Sequence, residues 1–211
     1  MSLDIAKLLI NIKSVNFSFD NYFTLTSGLK SPVYVDCRKI ISYVNERQLI
    51  FKNILLYLKK NNLSFDIIAG GETAGIPYAA FLSDKLKKPM LYIRKKPKGF
   101  GINKQIEGDF EKDQNALLVE DLATDGGSKI TFVKAMRDAG LKVKDIFVIF
   151  HYDIFDYSLS ELSKMNVKIH SLCTWKDIVN YIETKKIFNE LEILNLKEFL
   201  SNPDKWREKY G

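Results

Sequence analysis

Apolar residues recur along the chain at two periods. Ile5, Leu8, Leu9 and Ile12 share one face at helical spacing, so residues 1–12 predict a short amphipathic helix. From Asp66 onward, apolar runs alternate with helical spacing. Residues 66–69 predict a short strand ending in Gly70-Gly71. Gly75–Leu86 has helical spacing, and Pro77 is tolerated near its start because the first turn needs no amide donor. Met90–Ile93 predicts a second strand. Residues 116–119 predict a third, ending in acids. Residues 127–139 predict a helix with Ile130, Val133, Ala135 and Met136 as its apolar positions and Gly140 as its stop. Residues 145–150 predict a fourth strand.

Strands that are apolar throughout and separated by helices indicate an α/β fold, a parallel sheet flanked by helices on both faces. Ligands of such sheets bind at the carboxyl ends of the strands. The glycines after Ala69 and the acids after Val119 lie at those ends. Residues 95–115 are polar and contain Gly99, Gly101 and Gly108, so they predict a long loop of the kind that is either a lid or a disordered segment. Residues 22–38 have extended character with turn signals at Ser27-Gly28 and Ser31-Pro32, which predicts a small N-terminal flanking subdomain. From about Trp175 the tail is mostly helical and carries no legible motif. The expected organisation is a single domain over 1–211, with about 1–40 as the flanking part and about 66–150 as the core sheet.

A length of 211 residues suits one domain with a full core. The formal net charge of +6 fits either nucleic acid or small phosphorylated ligands. The lysines are scattered, apart from a run from Arg94 to Lys98. That spread argues against nucleic acid, whose signature is clustering on one face. No stretch approaches the roughly 18–20 apolar residues of a membrane span, and residues 1–12 lack the pattern of a signal peptide. Two cysteines, Cys37 and Cys173, stand far apart without metal-type spacing. They fit ordinary thiols in a reducing cytoplasm.

The chemistry concentrates in Ala116-Leu117-Leu118-Val119-Glu120-Asp121-Leu122-Ala123-Thr124-Asp125-Gly126-Gly127-Ser128. A buried strand leads to two acids, two apolar residues and a small glycine-rich loop that opens a helix. Such a loop turns backbone amides toward an anion, and the helix adds its positive end. Gly126 and Gly127 remove side chains that would hold a phosphate off the backbone, while Thr124 and Ser128 supply hydroxyls. Glu120 and Asp121, when ionised, only accept hydrogen bonds. They would repel phosphate but suit the vicinal hydroxyls of a ribose. A strand-to-helix turn with capping residues would account for the glycines alone; the acid pair turns the balance to a sugar phosphate. The Gly-Lys-Ser/Thr of a Walker loop is absent, as is a G-x-G-x-x-G after a strand.

These thirteen residues resemble the PRPP-binding signature of the phosphoribosyltransferases (PRPP is 5-phosphoribosyl 1-diphosphate). The resemblance implies that Glu120 and Asp121 hold the ribose hydroxyls and that Thr124, Asp125, Gly126, Gly127 and Ser128 hold the 5-phosphate, with Leu122 and Ala123 between them. Asp125 stands where many members have an uncharged residue, so its amide is expected to face the phosphate and its carboxylate to turn away.

Three further segments resemble orotate phosphoribosyltransferases. One runs from Phe23 to Arg38 as F-x-L-x-S-G-x-x-S-P-x-Y-x-D-x-R. The second is Gly70-Gly71-Glu72-Thr73-Ala74-Gly75-Ile76-Pro77, similar to the pyrophosphate-side loop. The third is Arg94-Lys95-Lys96-Pro97-Lys98-Gly99-Phe100-Gly101 with Gln105-Ile106-Glu107-Gly108, similar to the mobile catalytic loop. The resemblance spans about 23–150. It implies Arg94, Lys98 and Asp121 as catalytic residues, with Arg94, Lys95 and Lys98 at the PRPP diphosphate. Cations there oppose the charge that grows on the leaving group while a closing loop excludes water. It implies an orotate site of Ser27, Gly28, Tyr34, Val35 and Thr124. Lys30 and Arg38 are candidates for the orotate carboxylate and equally for plain surface charges.

The resemblance also implies Mg²⁺ held mainly by PRPP and water, without a protein metal cage. It implies a homodimer in which the loop around Lys98 reaches the partner's site. Three positions depart from the pattern. Phe100 stands where many members carry a loop histidine, Thr26 where many carry lysine, and Ala74 where some carry a basic residue. His151 lies near the end of the fourth strand and within reach of a base there, although a lone histidine is more often structural. Two rival functions are a transferase for another base and a PRPP-binding regulator that contacts RNA. The segment from Phe23 to Arg38 argues against the first, and the Arg94/Lys98 loop against the second.

Overall fold

The computed structural model describes residues 2–25, 27–97, 105–124, 127–154 and 161–210. They form two compact units, Met1–Arg47 with Cys173–Gly211, and Gln48–Leu172.

In the first unit, α1 (Ser2–Asn11) buries Ile5, Leu8 and Leu9, and Ile12 follows them into the core, as their spacing predicts. The strands β1 (Val15–Phe17), β2 (Phe23–Thr24), β3 (Lys30–Ser31) and β4 (Val33–Val35) form two antiparallel pairs, β1 with β4 and β2 with β3. A 3-10 turn over Cys37–Ser42 follows. The sequence pattern assigns about 1–40 to the flanking part, and the structure adds the C-terminal helices to the same unit. The ring of Tyr22 lies 4.7 Å from that of Trp206, and Phe17 lies 4.9 Å from Phe188. Asn195 donates to the Tyr22 hydroxyl at 3.0 Å and accepts from Trp206 Nε1 at 3.0 Å. The tail thus fastens the short strands, which are too small to bury a core of their own.

The second unit begins within α2 (Val44–Lys60), which buries Ile50, Phe51, Ile54 and Leu58. It then alternates β5 (Ile67–Gly71), α3 (Gly75–Leu86), β6 (Met90–Ile93), β7 (Ile106–Glu107), β8 (Asn115–Ala123), α4 (Gly127–Asp138), β9 (Lys142–His151) and β10 (Lys168–Thr174). The sheet order is β10-β9-β8-β5-β6-β7. The pairs β5–β6, β5–β8 and β8–β9 are parallel, and β7 runs antiparallel to β6. One face packs Ile67, Ala69, Leu118, Ile146 and Val148 against Phe132, Val133 and Met136 of α4. On the other face Tyr57 of α2 meets Phe147 at 5.4 Å, and Gly70 lies against Ile76 and Ala79 of α3. The fold is α/β, with a mostly parallel sheet covered on both faces.

The helix over Gly75–Leu86 and the strand over Met90–Ile93 have the bounds that periodicity predicts. Gly140 ends α4's turn at φ +98°, a conformation that favours glycine. Three expectations change. The first strand runs through both glycines. The third extends to Ala123 and takes in both acids, because their neighbours allow burial there. The expected loop over 95–115 contains β7, since buried Ile106 pairs with Ile93. Cys37 and Cys173 are buried and form no disulfide. Among the described residues no helix is long and apolar enough to cross a membrane.

Candidate active site

The carboxyl ends of β5, β6 and β8 lie side by side and carry most of the sequence-predicted phosphoribosyl residues. Glu120, Asp121, Leu122 and Ala123 are the last four residues of β8. The two acids are buried, Leu122 is half-buried and Ala123 is enclosed. Half-buried Thr124 follows, and Gly127 and Ser128 open α4 on the exposed side. Asp125 and Gly126 lie outside the described residues, as does Lys98.

Arg94 follows β6, anchored by its amide, which donates to Gln105 O at 2.8 Å. Its guanidinium is 3.8 Å from Glu107, and its Nε is buried without a hydrogen-bond partner among the described residues. Lys95 is exposed, and its amide donates to Glu72 Oε2 at 2.7 Å. That bond ties the start of the basic loop to the segment after β5, where the Glu72–Thr73 peptide is cis.

Glu120 is a buried acid of the site. Its carboxylate lies against Gly71 and Gly75, and a β-carbon at Gly71 would collide with it. Burial pushes its pKa up to about 7. Lys129 opposes that rise from 3.7 Å, and the charge of Asp121 adds to it. Lys129, in the first turn of α4, is itself buried and donates to Ser128 Oγ at 3.4 Å. His151 ends β9 opposite Ala123, and burial holds its imidazole below the ordinary histidine value. Among the described residues, no group of three or more His, Cys, Asp and Glu side chains is placed to hold a metal.

The predicted orotate residues belong to the first unit, except Thr124. Ser27 and Gly28 form an exposed turn, closed by the Gly28 amide donating to Leu25 O at 2.8 Å, with Gly28 at φ +81°. Tyr34 is exposed, and Arg38 donates to its hydroxyl at 3.4 Å. Val35 is buried and paired with Val15, so what it offers a ligand is backbone. Lys30 donates to Thr24 Oγ1 at 3.0 Å, and Arg38 is paired with Asp36 at 2.8 Å.

No protein-family model matches the chain. It is 45% identical over 205 residues to the orotate phosphoribosyltransferase of Roseobacter denitrificans, covering 96% of this chain and 91% of that protein. It is 43% identical over 209 residues to the orotate phosphoribosyltransferase of Agrobacterium fabrum, covering 98% and 90%. The chain belongs to the orotate phosphoribosyltransferase family. A solved structure of an orotate phosphoribosyltransferase from Aeropyrum pernix matches with a TM-score of 0.74 at 28% identity, covering 88% of this chain and 99% of that one.

For this orotate phosphoribosyltransferase family member, sequence patterns missed Gly71, Gly75 and Lys129 as parts of the site. The glycines were visible only as components of a loop. Lys129 carried one signal, a lysine in the first turn of a helix, where a cation opposes the helix dipole.

Proposed function

We propose that this chain transfers the 5-phosphoribosyl group of PRPP to N1 of orotate, giving orotidine 5′-monophosphate and pyrophosphate in de novo UMP biosynthesis. The observation that carries the reading is the buried pair Glu120 and Asp121, near the end of β8 and ahead of α4. Carboxylates accept the vicinal ribose hydroxyls, while the amides over 124–128 and the positive end of α4 take the 5-phosphate. Leu122 and Ala123 carry the backbone between these two grips.

As the C1–N1 bond forms, the C1–O bond breaks and its electron pair leaves with the diphosphate, while the proton that N1 gives up passes to the diphosphate or to water. Arg94, Lys95 and Lys98 stabilise that growing charge. Arg94 is supported in this by its buried Nε, which has no partner among the described residues. Closure of the loop bearing Lys98 would exclude water. The base is received by Thr124, Ser27, Gly28, Tyr34 and Val35, with the Tyr34 ring as an aromatic wall and backbone groups as donors and acceptors.

The oxygen-only character of the acid pair suits a hard cation arriving with its phosphates. Mg²⁺ would be held mainly by diphosphate and ribose oxygens and water, with Glu120 and Asp121 on the hydroxyls it shares. When bound, it neutralises part of the diphosphate charge. The reading includes a homodimer with shared sites and a cytoplasmic setting, where Cys37 and Cys173 remain thiols.

The test is the loss of orotate absorbance in the near ultraviolet on adding PRPP and Mg²⁺. Turnover in the wild type, with large losses in Asp121→Asn and Lys98→Ala, is expected. PRPP binding without orotate turnover would overturn the base assignment.

A further inference from the structure

We propose that Lys129 is a positioning residue for the ribose end of PRPP, fixing the Glu120 carboxylate where the substrate's hydroxyls meet it. The inference rests on the PRPP reading above and deepens it. Lys129 occupies an unfavourable place twice over. It sits in the first turn of α4, where a cation opposes the helix dipole, and its side chain is buried, which lysine rarely tolerates without a partner. Its neighbours Phe132, Val133 and Met136 are core residues of the same helix, so the pattern of α4 would accept an apolar side chain there. A local rule broken in this way is expected where a site requires it.

The geometry supplies the requirement. Lys129 Nζ lies 3.7 Å from Glu120 Oε2 and 3.4 Å from Ser128 Oγ. One ammonium therefore joins an acid of β8 to a hydroxyl of the phosphate-loop helix. The second carboxylate oxygen, Glu120 Oε1, is buried and has no hydrogen-bond partner among the described residues. It faces Gly75 at the start of α3, where a β-carbon would lie 3.1 Å from it. A buried acceptor with one oxygen held and the other idle calls for an incoming donor, and a ribose hydroxyl is one.

The charges around Glu120 are Asp121 on its own strand, Lys129 on α4 and Lys95 after β6. β5 and α3 present Gly71 and Gly75, which carry none. His151 on β9 faces Lys129 in turn. Burial and Asp121 both oppose ionisation of Glu120, and Lys129 is the largest opposing influence. Without it, the carboxylate takes up a proton at higher pH, and one of its oxygens becomes a donor instead of a pure acceptor.

Calorimetric PRPP binding with Mg²⁺ present, together with kinetics from about pH 6 to about pH 9, tests this in the full-length protein. Lys129→Met is expected to weaken PRPP binding about tenfold or more at neutral pH, the size of one hydrogen bond to a charged group. The acid limb of kcat/KM for PRPP is expected to move to higher pH, with KM for orotate little changed. Lys129→Arg is expected to recover most of the loss, and adding Lys129→Met to Glu120→Gln to cost nothing further. A folded Met variant with wild-type PRPP affinity and an unmoved acid limb overturns the proposal. If the Met variant does not fold, Lys129→Gln takes its place and is expected to show the same displacement; a wild-type profile in it overturns the proposal equally. Failure of the wild type to bind PRPP at all would instead sink the phosphoribosyl reading beneath it.

Discussion

The Glu120 carboxylate fills the space that a β-carbon on Gly71 would need. The same β-carbon would lie 2.6 Å from Cε2 of Phe132, a ring enclosed in the core. Gly71→Ala must therefore move a core ring or a charged side chain. The ring is held on all sides, so the carboxylate is the group that yields. We expect Gly71→Ala to fold with a loss of about 1–3 kcal/mol, typical of overpacking. We expect it to lose PRPP affinity about tenfold or more. Thermal melting and PRPP calorimetry measure the two effects separately. Wild-type affinity in the folded variant would mean that the substrate does not use the place Glu120 holds.

The buried pair of Glu120 and Lys129 sets a pH dependence of stability. Glu120 is raised from 4.5 to about 7 in the folded protein. Between those values the folded state binds more protons than the unfolded chain, so this contribution is present below pH 4.5 and lost as pH rises through 7. The loss is on the order of 3 kcal/mol. Replacing both charges, as Glu120→Gln with Lys129→Met, removes it, and buried pairs often tolerate such replacement. The double variant is expected to melt above the wild type at about pH 8, to lose that advantage by about pH 5 and to bind PRPP poorly. An advantage independent of pH would show that the pair is not its source.

Much of the second unit was legible because its central strands and helices are each governed by one period. Gly75–Leu86 is bounded by glycine and a left-handed Lys87, and Met90–Ile93 is a short apolar run, so local signals suffice. The helix Val44–Lys60 went unassigned. Ile50, Phe51, Ile54 and Leu58 are at helical spacing, but its exposed face is polar and its start carries no decisive cap. The true length of β8 was hidden because acids read as the end of a strand. Only Gly71 and Gly75, contributed by other elements, make room for Glu120 inside the sheet. Burial of Lys129 was illegible for the same reason, since its partner lies on another element. The C-terminal helices carry no motif because their role is contact: Trp206 matters through Tyr22, which no local pattern announces.

The proposed homodimer makes a prediction of its own. On the proposed reading, Lys98→Ala removes a cation at the leaving group, and Asp121→Asn removes one of the carboxylate oxygens offered to the ribose hydroxyls. Each alone is expected to lower kcat about a hundredfold or more, the size seen when one stabilising group leaves an active site. If the loop around Lys98 serves the partner's site, mixing the two variants yields heterodimers with one site intact in both halves. Activity should then rise on mixing toward a quarter of the wild type, the share expected when half of the dimers are mixed and each carries one whole site. Mixtures that stay as inactive as their parents would assign Lys98 and Asp121 to sites within one subunit.

His170 predicts a separation of stability from activity. Its Nδ1 is 3.1 Å from the Tyr57 hydroxyl and its Nε2 is 2.7 Å from Asp145 Oδ1, so one ring satisfies a helix and a neighbouring strand at once. Asp145 lies in the first half of β9, whereas the candidate site sits at the carboxyl ends of the strands. His170→Leu leaves the tyrosine hydroxyl and the carboxylate without this partner, at a cost of about 1–3 kcal/mol. The melting temperature should fall accordingly. At a temperature where the variant is fully folded, kcat/KM for PRPP should stay within about twofold of the wild type, because distant sites act independently. A large loss of activity in the folded variant would instead couple the far end of the sheet to the site, with β9 (Lys142–His151), which holds both Asp145 and His151, as the physical link.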